Sequence, residues 1–207
     1  RRFNRAASLY RLEEFLPYFV LAASDTGQAE LMPEALSDRT KKAKLLLSRY
    51  RLPDRPSGRL FDIDLTAAVL AAFDGRHDEA LSKLSKAVND RPYIASRSIY
   101  PMYQVVDLAD RLYSRFGDVR YRDMALRLSR GHTVVLPMYA WAYYVVAQYS
   151  PSSIERINAA ASGIALDPLS ARGAQLPDEL KSKAHELLDK GAPPYLSPRQ
   201  LEEHQGI

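Results

Sequence analysis

From Phe61 to Pro92 the chain reads FDIDLTAAVLAAFDGRHDEALSKLSKAVNDRP. Leu65, Ala68, Val69, Ala72 and Phe73 fall at helical spacing, and so do Ala80, Leu81, Leu84, Ala87 and Val88. Each set makes one apolar stripe along a helix. Between them lies Asp74-Gly75-Arg76-His77, where Gly75 can take the positive φ of a tight turn. Pro92 cannot continue the second helix, because it lacks an N–H and its ring meets the preceding turn. Two helices that each carry one apolar stripe, joined this tightly, must pack on one another or expose both stripes to water.

The same design recurs downstream. Met102 to Phe116 carries Met102, Val105, Val106, Ala109, Leu112, Tyr113 and Phe116 on one face, and Gly117-Asp118 turns it. Tyr121 to Arg130 follows with Tyr121, Met124, Ala125 and Leu128, and Gly131 is expected as its C-cap. Pro137 closes this pair. A third pair is expected over Met138 to Tyr149 and Ser153 to Leu166, turned at Ser150-Pro151. Ser152 or Ser153 suits the N-cap, and Glu155 lies in the first turn, where an acid complements the helix dipole. Asp178 to Lys190 is a last amphipathic helix with Leu180, Ala184, Leu187 and Leu188, opened by Pro177 and stopped by Gly191.

On the N-terminal side, residues 1–52 read as further helices. Pro17 breaks the apolar run from Leu9 to Ala23, and Thr40 to Tyr50 places Ala43, Leu46, Leu47 and Tyr50 on one face. Leu52-Pro53-Asp54-Arg55-Pro56-Ser57-Gly58 is turn chemistry, and it separates residues 1–52 from the paired helices at 61–168. Residues 191–207 are rich in proline and polar side chains and read as a loosely ordered tail.

With 46% hydrophobic residues in 207, the chain can bury about 70% of its unfolded surface without staples. It has no cysteine, which excludes a disulfide framework, a cysteine-ligated metal and a cysteine nucleophile. No apolar run approaches the ~18 residues of a membrane span. The opening Arg1-Arg2-Phe3-Asn4 shows neither methionine nor signal peptide, so a processed protein or a piece of a larger one is expected. Absence of thiols suits cytoplasm or periplasm alike and leaves the location undetermined.

No nucleophile elbow, zinc-protease helix, phosphate loop or dinucleotide fingerprint occurs, and no cofactor is expected. His77, His132, His185 and His204 lack a second ligand at metal spacing. The net charge of +4 is a weak argument for an anionic partner. Arg111, Arg115, Arg120, Arg122, Arg127 and Arg130 read as a charged outer face balanced by Asp107, Asp110, Asp118 and Asp123, so nucleic acid is not expected. Tyr139, Trp141, Tyr143, Tyr144 and Tyr149 go to different faces of one helix. They suit burial between neighbours, or a ligand or peptide surface.

Gly75 at the turn, small Ala80 five residues on, Leu84, small Ala87 and Pro92 resemble a tetratricopeptide repeat, a helical pair of about 34 residues. The run Gly163-Ile164-Ala165-Leu166-Asp167-Pro168 resembles the end of another. The resemblance implies an all-α, right-handed solenoid of antiparallel helix pairs, with the helix at 178–190 capping its open end. It also implies a non-enzymatic scaffold that holds a partner segment on its concave face, lined by the first helix of each pair. By that register the groove takes Asp62 from the first pair, then Asp107, Asp110, Ser114 and Asp118. The third pair adds Trp141, Gln148 and Tyr149. A protein or peptide partner bearing basic residues beside an apolar anchor would fit. The alternatives are a helical domain of a larger carbohydrate-active enzyme, with its aromatic residues stacking on sugar, or of a membrane-linked sensor.

Overall fold

The computed structural model describes residues 58–89 and 99–191, with side chains at 64–88 and 102–191. The helices expected over residues 1–52, the closure at Pro92 and the tail from residue 192 lie outside them. The described residues form eight helices and no strand. They are α1 (Gly58–Phe73), α2 (His77–Asn89), α3 (Ile99–Phe116), α4 (Val119–Val135), α5 (Ala140–Tyr149), α6 (Ser153–Leu166), α7 (Ala171–Ala174) and α8 (Asp178–Asp189). The chain divides between Gly117 and Asp118 into two compact units. The division runs through the second expected pair, so α3 and α4 belong to different units.

In the first unit α1 and α2 pack together across the turn at 74–76, and α3 contacts both. Gly75 takes φ +75°, the left-handed conformation that its lack of a Cβ allows. Arg76 spans the turn, with Nη2 donating to Asp74 Oδ2 at 2.7 Å and Nη1 donating to Glu79. The expected stripes are the core: Leu65, Ala68, Val69, Ala72, Ala80, Leu84, Val105, Val106, Ala109 and Leu112 are all fully buried. At the turn end, the Phe73 and His77 rings each meet Phe116 edge-on, with centroids 5.2 Å apart. Helix α3 begins at Ile99, three residues before the expected Met102. Pro101 fits there because the first turn of a helix needs no donor from its backbone nitrogen.

The second unit is built on α5. Seven of its ten residues are buried, and it contacts α4, α6 and α7, while α8 covers α6. A helix that is apolar on nearly every side requires neighbours on nearly every side. Tyr144 shows how close they come. A Cβ added at Gly163 of α6 would lie 2.8 Å from Tyr144 Cε1, and one at Gly173 of α7 would lie 2.8 Å from its Cζ. The phenol ring therefore occupies the space that side chains at both glycines would fill. Its hydroxyl donates to the carbonyl of Asp167 at 2.6 Å, satisfying a polar group at the end of α6. Burial, reinforced by the Asp167 carboxylate, pushes the Tyr144 phenol up to about 12.

Helix ends follow local chemistry with one correction. Asp118 caps α4 by accepting from Arg120 N at 3.0 Å, and Ser152 caps α6 by accepting from Glu155 N at 3.3 Å. Gly131, expected as a C-cap, lies inside α4, which runs on until Leu136 N bonds His132 O at 2.8 Å. An interior glycine costs about 1 kcal/mol relative to alanine. Burial of His132 and Thr133 in the added turn opposes that cost. The short α7 carries no periodicity a sequence reading could use.

Two stability changes are expected. Ala80 is fully buried in the α1–α2 pair, so Ala80→Leu should cost about 1–3 kcal/mol by overpacking. Denaturant unfolding checks this, and an unchanged midpoint would place Ala80 at the surface. Gly163→Ala should cost a similar amount, about 1–3 kcal/mol, because backbone stands opposite a buried ring. Combining it with Tyr144→Leu, which vacates the ring, should recover part of that loss in the same assay.

Candidate functional site

Two polar arrangements in the second unit stand out from its apolar packing. The first joins α4, α6 and the turn between α5 and α6. Arg130 donates to Glu155 through Nε to Oε1 at 2.9 Å and through Nη2 to Oε2 at 2.5 Å. Glu155 is only 2% exposed, and it also accepts from the Ser150 hydroxyl. Ser150 Oγ in turn accepts from Ser152 N at 3.1 Å. Thr133 donates to the Arg130 carbonyl at 2.9 Å, and Arg156 Nε donates to the Ala147 carbonyl at 2.9 Å. A carboxylate this buried requires a charged partner and full hydrogen bonding, and the forked guanidinium supplies both.

This changes two expectations from sequence. Arg130 does not belong to a solvated outer face, and Glu155 does more than complement a helix dipole. The partners stand 25 residues apart on different helices, so no local spacing marks them.

The second arrangement is aromatic. His132, in the last turn of α4, is buried, with its ring centroid 4.7 Å from Trp141 and 5.7 Å from Tyr139. Its Nε2 has no hydrogen-bond partner. Burial lowers its proton affinity below the usual histidine range. Beside it Val134, Val135 and Met138 are exposed.

The expected groove residues divide between the units. In the first unit Asp62 lies within α1, with its side chain outside the described ones. Asp107 is 5% exposed, and its carboxylate accepts from Arg111 Nε at 2.8 Å. Asp110 is half-buried and Ser114 exposed. In the second unit Asp118 caps α4 and pairs with the Arg120 guanidinium at 2.7 Å. Trp141, Gln148 and Tyr149 all belong to α5. Gln148 is exposed, Trp141 and Tyr149 are half-buried, and every other residue of the helix is buried. Positions seven and eight apart share a helical face, so these three form the accessible stripe of α5. Gln148 Nε2 donates to the Tyr149 hydroxyl at 3.1 Å.

Sequence reasoning thus named every accessible residue of α5 and missed the Arg130–Glu155 pair and the His132 cluster. No group of three or more His, Cys, Asp or Glu among the described residues could hold a metal ion. None of the described helices is long and apolar enough to cross a membrane. No protein-family model, curated protein or solved structure matches this chain.

The buried pair makes a measurable prediction. Glu155→Ala strands Arg130 and should cost about 1.5–3 kcal/mol, the range for hydrogen bonds to charged groups. The ~3–5 kcal/mol of a fully buried pair is not expected, because Arg130 is 32% exposed. Arg130→Met combined with Glu155→Leu should recover part of the loss, as read by thermal or urea unfolding.

Proposed function

We propose that this chain is a protein-interaction module of tetratricopeptide-like helix pairs, and that the exposed stripe of α5 contributes to its binding face. The observation that carries this reading is the division of α5. The helix buries its residues on nearly every side yet leaves Trp141, Gln148 and Tyr149 accessible. Two aromatic rings beside an amide can supply apolar area, a donor and an acceptor at low conformational cost, which is what a peptide anchor needs. Support for the repeat comes from α1 and α2, where Gly75 turns the pair and Ala80, Leu84 and Ala87 are buried at the matching positions. In this reading the helix pairs stack as a right-handed solenoid, and α8 caps it.

The partner is a peptide or protein segment with an apolar side chain that packs on Trp141 and Tyr149. Asp107 and Asp118 are matched in place by Arg111 and Arg120, so their steering of a cation is reduced.

The test uses the full chain as bait in a pull-down, with Trp141→Ala and Tyr149→Ala baits whose helicity is checked by circular dichroism. A partner retained by the parent should bind each variant about ten-fold or more weakly, at low and high salt alike. Parent-like binding by folded Trp141 and Tyr149 variants would remove α5 from the binding face.

A further inference from the structure

The turn between α4 and α5 is held by an aromatic stack that contains one ionisable ring. His132 is 5% exposed, packs against Trp141 and Tyr139, and leaves Nε2 without a hydrogen-bond partner. We propose that protonation of His132 opens this junction, so that the half-buried Trp141 and Tyr139 become more exposed and join Val134, Val135 and Met138 in one apolar surface.

The surrounding groups favour the neutral ring. The rings packed against it are the Tyr139 phenol from the turn and the Trp141 indole from α5, and neither is a carboxylate that would hold a proton on the imidazole. On α4 Arg127 is exposed and Arg130 is committed to Glu155. Asp118 and Asp123 are paired with Arg120 and Arg122. On α6, which packs against α5, Glu155 is held by Arg130 and Ser150, and Arg156 donates to the Ala147 carbonyl. Asp167, beyond the end of α6, is exposed, and α7 contributes Arg172. Each carboxylate of α4 and α6 is thus engaged by an arginine.

The direction follows from linkage. In the open junction the imidazole is hydrated and takes a proton at the ordinary histidine value of about 6.5. In the closed junction burial lowers that affinity. Above the ordinary value both forms are neutral and the closed junction keeps its full stability. As pH falls below it, the open form binds the proton first, and the closed form loses ground down to its own lower midpoint. Val134, Val135 and Met138, within six residues of His132 in the chain, are 64%, 73% and 60% exposed, so this segment already presents apolar surface. The inference needs no docking partner, although Trp141 is shared with the proposed binding stripe of α5.

Trp141 is the single tryptophan of the chain and reports on the junction directly. Acrylamide quenching of its fluorescence in the full chain is measured between about pH 7.5 and pH 5, with far-ultraviolet circular dichroism alongside. The quenching constant should rise about two-fold on acidification, reversibly and without loss of helicity, and His132→Phe should abolish the rise. A flat response in the parent, a rise that persists in His132→Phe, or a rise that parallels loss of helicity would each overturn the proposal. If His132→Phe fails to fold at neutral pH, a second variant decides. His77→Gln with His185→Gln and His204→Gln leaves one imidazole to titrate by proton NMR. A midpoint below the ordinary histidine value supports the proposal, and one at or above it overturns it.

Discussion

The second unit depends on the fit of one ring. Tyr144 fills the space that side chains at Gly163 and Gly173 would take, so α5, α6 and α7 meet at a distance set by the ring itself. Dispersion attraction is collectively large only at such contact distances. The hydroxyl adds what phenylalanine could not, a short second bond to the Asp167 carbonyl at the end of α6, which otherwise accepts from Ser170 N at 3.3 Å. From that contact follows the character of α5, a helix with neighbours on nearly every side and little room for polar residues.

The one buried carboxylate among the described residues of this unit is matched by its neighbours. Glu155 is almost wholly enclosed, and it is held by two bonds from Arg130 and one from Ser150. Such a pair adds little net stability over well-packed apolar residues, but losing one partner is costly. The pair links α4 to α6 through side chains, while each helix packs on α5. The first unit is built differently. Small alanines and leucines fill it, and the Phe73, His77 and Phe116 rings meet at the turn end.

His132 is not matched in this way: it is a buried polar ring beside Tyr139 and Trp141 whose Nε2 has no hydrogen-bond partner. Trp141 is also one of the three side chains through which α5 reaches the surface. The same helix therefore carries the closest packing of the unit and its proposed binding stripe. A rigid scaffold beneath exposed aromatics limits the entropy lost on binding.

What the sequence by itself determined was local. Periodicity marked the helices, and Gly75, Asp118, Ser152 and Pro177 marked their ends, because spacing and capping act within a few residues. The all-round apolar pattern of α5 implied burial, while Trp141, Gln148 and Tyr149 were singled out only through the repeat resemblance. The tertiary structure decided everything that joins distant residues. Gly131 looked like a stop until the burial of His132 and Thr133 carried α4 past it. Asp107 looked like a surface charge but is buried, and Arg130 found Glu155 across 25 residues. Nothing local marks Gly163 and Gly173 as the positions whose space Tyr144 occupies. A single chain records which residues are small, charged or aromatic. Which of them meet is set by helix packing, and that is a property of three dimensions.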